Sequence, residues 1–94
     1  MTQPTPLTQT LAANVAQRRR AAHLSQTALA ERAAVSRATI SNIERALYDP
    51  TLSTVERLAS ALGVSVLKLF APARRAQSSR RARRKIQERE DIHV

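Results

Sequence analysis

Ninety-four residues allow one small domain, with a core that is only marginally sufficient by itself. There is no cysteine, so disulfides and cysteine-ligated metal sites are impossible, and the two histidines, His23 and His93, lie too far apart in sequence to begin a zinc site; no metal and no cofactor are expected. The formal charge of +9, from 16 Lys+Arg against 7 Asp+Glu, calls for a polyanionic partner, nucleic acid or an anionic surface. No apolar run approaches the roughly 20 residues that span a bilayer. The N-terminal MTQPTPLTQ has neither the basic nor the apolar region of a secretory signal, so a cytosolic location, on the nucleoid, is the simplest expectation and no membrane partner is foreseen.

Residues 1–5 are polar and read as a mobile arm. Thr5-Pro6 has the form of an N-cap followed by proline at the first helical position, and a helix then runs to about Ala22. Leu7, Leu11, Val15 and Ala22 form its apolar stripe. Arg18 and Arg19 border that stripe, and a cation facing the core needs an anionic partner. Ser25 caps the next helix, with Leu24 and Leu29 as a hydrophobic staple. That helix runs to about Ala33 and turns Leu29, Ala30 and Ala33 inward; Ala30 is small enough to admit a closely crossing neighbour.

Ser36 is a third N-cap, with Val35 and Ile40 as its staple. Only Ala34 to Ser36 separate the two helices, the spacing of a helix-turn-helix. In the second of the pair Ile40 and Ile43 face inward, while Arg37, Ala38, Ser41, Asn42 and Arg45 face outward. A short helix with an exposed hydrogen-bonding side, held rigidly by a neighbour, fits a DNA major groove.

A loop punctuated by Asp49-Pro50 follows. Thr51 or Ser53 caps the fourth helix, Ser53 forming a capping box with Glu56, and Val55, Leu58, Ala59 and Leu62 are its inner side. Gly63, the only glycine, ends that helix, and Ser65 caps a short fifth one that stops before Pro72. The division is therefore an arm over 1–5, a helical domain over 6–71 and a basic tail over 72–94. The tail carries eight basic and three acidic residues, with basic groups toward its N-terminal end and acidic ones toward its C-terminal end, against the helix dipole; a disordered or partly helical tail is expected.

Residues 11–70 resemble the lambda-repressor/Cro-type helix-turn-helix domain, the XRE family. The segments that carry the resemblance are LSQTALAERAAVSRATISNIER, Pro50-Thr51-Leu52 and LASALGVSVLKLF, all in register. It implies an all-α, compact five-helix domain that binds double-stranded operator DNA as a two-fold homodimer. It implies further that Gln26 bonds a phosphate and braces the reading helix, that Arg37, Ala38 and Asn42 face base edges, and that Arg19 and Glu44 form an ion pair beneath the DNA surface. Two positions depart from the pattern: Ala34 and Ala46 stand where glycine is frequent, and alanine in a left-handed conformation costs roughly 1 kcal/mol.

The chemistry of these side chains gives each a role. The Arg37 guanidinium can bond O6 and N7 of guanine together, and Asn42 can pair likewise with N6 and N7 of adenine. Ala38 contacts a thymine methyl or leaves space, and Ser41 bonds almost any groove edge. Gln26, Thr27, Ser36, Thr39, Arg45 and Tyr48, at helix starts and after the reading helix, are the candidates for phosphate contacts. Arg74, Arg75, Arg80, Arg81, Arg83, Arg84 and Lys85 read as an arm that follows the DNA backbone or a minor groove, the alternative being a solvated tail that keeps the protein soluble. Val66, Leu67, Leu69 and Phe70 offer more apolar surface than one short helix can bury, and are expected to supply the dimer face. A nucleophile–base pair, a glycine-rich phosphate loop and a metal cluster are all missing from the sequence, so an enzyme is not expected. The leading reading is a transcriptional repressor or autoregulator. The alternatives are an antitoxin whose C-terminal segment binds a toxin, a restriction–modification controller and, less favoured, an RNA-binding or coactivator protein driven by the tail.

Overall fold

Five serine or threonine residues start five helices in the computed structural model, which describes residues 3–72. Thr5 caps α1 (Pro6–Ala21), Ser25 caps α2 (Gln26–Ala33), Ser36 caps α3 (Arg37–Glu44), Thr51 caps α4 (Leu52–Leu62) and Ser65 caps α5 (Val66–Leu69). In each case the backbone of the cap is extended, and its hydroxyl accepts from the N–H three residues on. A bond of this kind satisfies one of the donors left over at a helix start and contributes about 1 kcal/mol. The start of α4 decides between the two caps expected there. Thr51 is the cap, Ser53 lies in the first turn, and the Ser53–Glu56 capping box does not form. Starting at Thr51 gains the backbone bond from Val55 N–H to the Thr51 carbonyl (3.0 Å), which a start at Ser53 would forgo.

The helix ends repeat one device as well. After α1, α2, α3 and α4 the chain passes through a residue with positive φ: His23 (58°), Ala34 (58°), Ala46 (57°) and Gly63 (69°). At each end two backbone bonds reach back across the last turn. Leu24, Val35, Leu47 and Val64 donate to the carbonyls of Arg19, Ala30, Asn42 and Ala59, and the residue before each donates one turn inside, to Arg20, Glu31, Ile43 and Ser60. This is the Schellman arrangement, normally completed by an apolar contact from the residue that follows the left-handed one. Leu24, Val35 and Val64 do pack against the core, whereas Leu47 is 64% exposed. Only one of the four left-handed positions is a glycine. The family-based expectation covered Ala34 and Ala46; His23 is a third strained position that the sequence did not single out.

The core is built where all five helices meet. Val15, Leu29, Ile40, Leu58 and Leu69, one from each helix, are fully buried, with Leu11, Ala30, Ala33, Ile43, Val55 and Ala59 around them. α2 lies against both α3 and α4, and Ala30 is among the residues that let the three approach. Two members of the expected stripe of α1 are not in this core. Leu7 is 58% exposed, at the rim of a surface groove beside Pro50, Leu52 and Phe70, and Ala22 lies beyond the last helical residue and is exposed. Ala12 and Ala16 widen the buried side instead. Leu69 is also a correction: expected at a dimer face, it has no exposed surface, since the four-residue α5 turns it wholly toward α1 and α4.

Asn14 is the one polar residue buried as a whole among the described residues. Its Nδ2 donates to the carbonyls of Leu69 (2.8 Å) and Ala71 (2.6 Å), with Lys68 at the limit (3.5 Å). The Leu69 and Ala71 carbonyls lie at and just beyond the end of α5, where no further turn of helix supplies a donor, so α1 supplies their partner. Thr5 of the expected arm is engaged as the cap of α1, while Met1 and Thr2 lie outside the described residues, as do residues 73–94 with every cation of the tail.

The left-handed residues give a stability test. Ala34→Gly and Ala46→Gly each raise the free energy of unfolding by about 0.5–1 kcal/mol, the relief of side-chain strain exceeding the added chain entropy, and Gly63→Ala lowers it by about 1 kcal/mol. Nothing lies within 4 Å of a Cβ placed at Gly63, so that loss isolates backbone strain from steric clash. Urea unfolding of the three variants is the measurement.

Candidate nucleic-acid interface

The helix-turn-helix of α2 and α3 leaves one side of α3 open. Arg37, Ala38, Asn42 and Arg45 are exposed and Ser41 is half-buried, while Ile40 and Ile43 on the other side are at most 1% exposed. Residues at i, i+1, i+4 and i+5 share a helix side, which places Arg37, Ala38, Ser41 and Asn42 in one strip. Eight residues give α3 little length to hold itself in place, so its orientation depends on what grips its two ends.

At its N-terminal end the grip is the Ser36 cap. The Ser36 hydroxyl accepts from Thr39 N–H at 3.0 Å and shares a 2.8 Å bond with the Thr39 hydroxyl. Two hydroxyl protons serve that pair and one mutual bond uses one of them, so one donor remains for an approaching acceptor.

At its C-terminal end the grip is ionic. Arg19 Nε donates to Glu44 Oε2 at 2.7 Å and Nη2 to Oε1 at 3.1 Å, a bidentate pair, while Nη1 donates to the Leu24 carbonyl at 2.9 Å. Gln26 Nε2 adds a third donor to Glu44 Oε1 at 3.2 Å. The side chains of Arg19 and Glu44 retain only 14% and 6% of their exposure. Hydrogen bonding to Glu44, against the opposing effect of burial and with the help of the Glu44 charge, holds the Arg19 guanidinium above its ordinary pKa. One carboxylate thus joins the last turn of α1, the first residue of α2 and the last residue of α3. Gln26 is half-buried and already bonded to Glu44, Thr27 is exposed at the second position of α2, and Tyr48 is 39% exposed beyond α3.

Arg19–Glu44 is the only ion pair among the described residues, and none of the described carboxylates lies within bridging distance of Arg37 or Arg45. Away from α3 the exposed large apolar side chains are Leu67 (82%), Leu52 (76%) and Leu7. Leu7, Leu52, Pro50 and Phe70 rim a small apolar groove of about 200 Å³. Val66 and Phe70 are half-buried against the core, which leaves Leu67 as the most exposed of the four residues expected at a dimer face.

Comparison with known proteins gives three concordant findings. Residues 15–69 match the family model described as Helix-turn-helix. The immunity repressor protein of Bacillus phage phi105 is 51% identical over 43 residues, a match that covers 46% of this chain and 30% of that protein. Among solved structures, a hypothetical transcription factor, NHTF, from Neisseria is 32% identical with a TM-score of 0.73, over 77% of this chain and 81% of that one. The restriction-modification controller protein C.AhdI from Aeromonas hydrophila is 27% identical with a TM-score of 0.65, over 67% of this chain and 96% of that one.

The ion pair generates the test of this geometry. Arg19→Met or Glu44→Leu alone costs about 3–5 kcal/mol of folding stability, because each leaves the other charge buried and unpaired, whereas the two replacements together cost markedly less than the sum. A double-mutant cycle by chemical denaturation reads the difference.

Proposed function

As this chain belongs to the helix-turn-helix family of transcription regulators, we propose that it is a repressor or autoregulator that binds a palindromic operator as a homodimer, with α3 in the major groove. One observation carries the reading: a strip of base-compatible side chains lies on the free side of a helix whose other side is buried and whose two ends are gripped. Arg37 and Asn42 read bases, and Ala38 and Ser41 adjust the fit between them. Gln26, Thr27, Ser36, Thr39, Arg45 and Tyr48 meet phosphates and set register. Arg74, Arg75, Arg80, Arg81, Arg83, Arg84 and Lys85 add a salt-sensitive contribution from the basic segment.

Leu67, with Leu52 and the half-buried Val66 and Phe70, supplies the self-complementary patch that a two-fold dimer needs. The likeness to C.AhdI favours a second reading within the same chemistry, a controller protein of a restriction–modification system. The toxin partner of the antitoxin alternative has no support among the relatives named above.

Selection from random duplex DNA tests the leading reading: it is expected to enrich a motif with two half-sites about one helical turn, ~34 Å, apart. Recovery of no motif removes the sequence-specific reading. Arg37→Ala relaxes the choice at one base per half-site, and Asn42→Ala at another, each by about 1–3 kcal/mol of discrimination; a loss of affinity equal across all sequences would make the residue a phosphate contact instead. Leu67→Glu shifts the chain toward monomer in sedimentation while leaving its helical content unchanged.

A further inference from the structure

We propose that Thr8 is a positioning residue for DNA binding: through Asp49 it clasps the segment that follows α3 to the first turn of α1, in the posture in which Arg45 and Tyr48 meet phosphates. This rests on the reading that those two residues are phosphate contacts.

The segment needs such a clasp because its local anchor is missing. After α1, α2 and α4 the chain leaves its left-handed residue and is seated at once by a packed Leu24, Val35 or Val64. After α3 the equivalent residue, Leu47, is 64% exposed and Tyr48 beside it is 39% exposed. Two bonds bracket the stretch, the first common to all four helix ends and the second found only here. Leu47 N–H donates to the Asn42 carbonyl at 2.9 Å, and the Thr8 hydroxyl donates to Asp49 Oδ1 at 2.7 Å, across 41 residues of sequence.

The hydroxyl chemistry makes the second bond part of a closed relay. Thr8 has a single hydroxyl proton and gives it to the carboxylate, which can only accept. The 2.8 Å contact between the Thr5 and Thr8 hydroxyls must then have Thr5 as donor. Thr8 N–H in turn donates to Thr5 Oγ1 at 3.0 Å. The cap of α1 and the anchor of the segment after α3 are therefore one hydrogen-bonded unit, and each bond in such a chain strengthens the next.

The charge of Asp49 gives the clasp a second effect. It is the only carboxylate between α3 and α4 and stands next to Tyr48. α1 has no acidic residue in its first turn, and Asp49 is held there by Thr8, near the positive end of the helix dipole.

The test uses the full chain, a duplex carrying the selected site and an unrelated duplex. Thr8→Val is expected to weaken binding to both duplexes alike by about fivefold, Thr8→Ser to restore it to within about twofold, and Thr8→Val to cost nothing further in an Arg45→Ala/Tyr48→Phe background. In the free protein Thr8→Val is expected to shift the amide resonances of Leu47, Tyr48 and Asp49 and leave those of Leu29 and Leu58 in place. Wild-type affinity in Thr8→Val, with Arg45→Ala/Tyr48→Phe weakened, overturns the clasp and leaves the phosphate reading standing. Resonance shifts spread through the core, or a Thr8→Val loss that persists undiminished in the double variant, assign Thr8 to stability alone and overturn it too. Unchanged binding by Arg45→Ala/Tyr48→Phe overturns the phosphate reading, and the clasp with it.

Discussion

Everything on the exposed side of α3 depends on the rotation of that helix about its own axis, and the interaction that fixes the rotation is the bond between Arg19 and Glu44. Two buried isoleucines decide which side of α3 faces the core, but apolar contact is non-directional and leaves smaller rotations of the helix open. A bidentate guanidinium–carboxylate pair does not tolerate them, because both N–H···O lines must be kept. Gln26 and the Leu24 carbonyl extend the constraint to α2, so the two helices of the motif are locked to each other and to α1 through one carboxylate. A buried pair of this kind adds little net stability over an apolar substitute. What it supplies here is an angle.

The rest of the architecture consists of short helices with strongly marked ends. α2, α3 and α5 are 8, 8 and 4 residues long, below the length at which a helix holds in water. Their boundaries come from hydroxyl caps at the start and left-handed residues at the finish; their persistence comes from the shared core. Three of the four left-handed positions lack glycine, so the domain carries strain at three turns that a glycine would relieve. The turn after α3 is different in kind. It is the one whose following apolar residue finds no seat in the core, and a contact from α1 holds it instead.

α5 shows how few residues can serve two purposes. Leu69 fills the core while Leu67, two positions earlier, is the most exposed large apolar side chain among the described residues. The helix is too short to keep itself in place, and Asn14 grips its terminal carbonyls from α1. The surface proposed for dimer contact is thus presented by an element that is itself pinned by a buried amide.

The sequence by itself determined what depends on near neighbours. Caps at Thr5, Ser25, Ser36 and Ser65, the three-residue turn, the inward Ile40 and Ile43, the terminal Gly63 and the apolar side of α4 all follow from side-chain chemistry and spacing within about one turn of helix. The ion pair was legible only through the resemblance to known helix-turn-helix domains, which supplied the partner that the misplaced cation required. Tertiary structure decided the remainder. Leu7 leaves the core although the stripe included it, Leu69 enters the core although it was placed outside, Asn14 finds its carbonyls 55 and 57 residues away, and Thr8 finds Asp49 across 41. Periodicity fixes which side of a helix is apolar, but not how far along that side the neighbouring helices reach. Nor does it show which polar groups their crossing brings together, and those contacts exist only once the helices have docked.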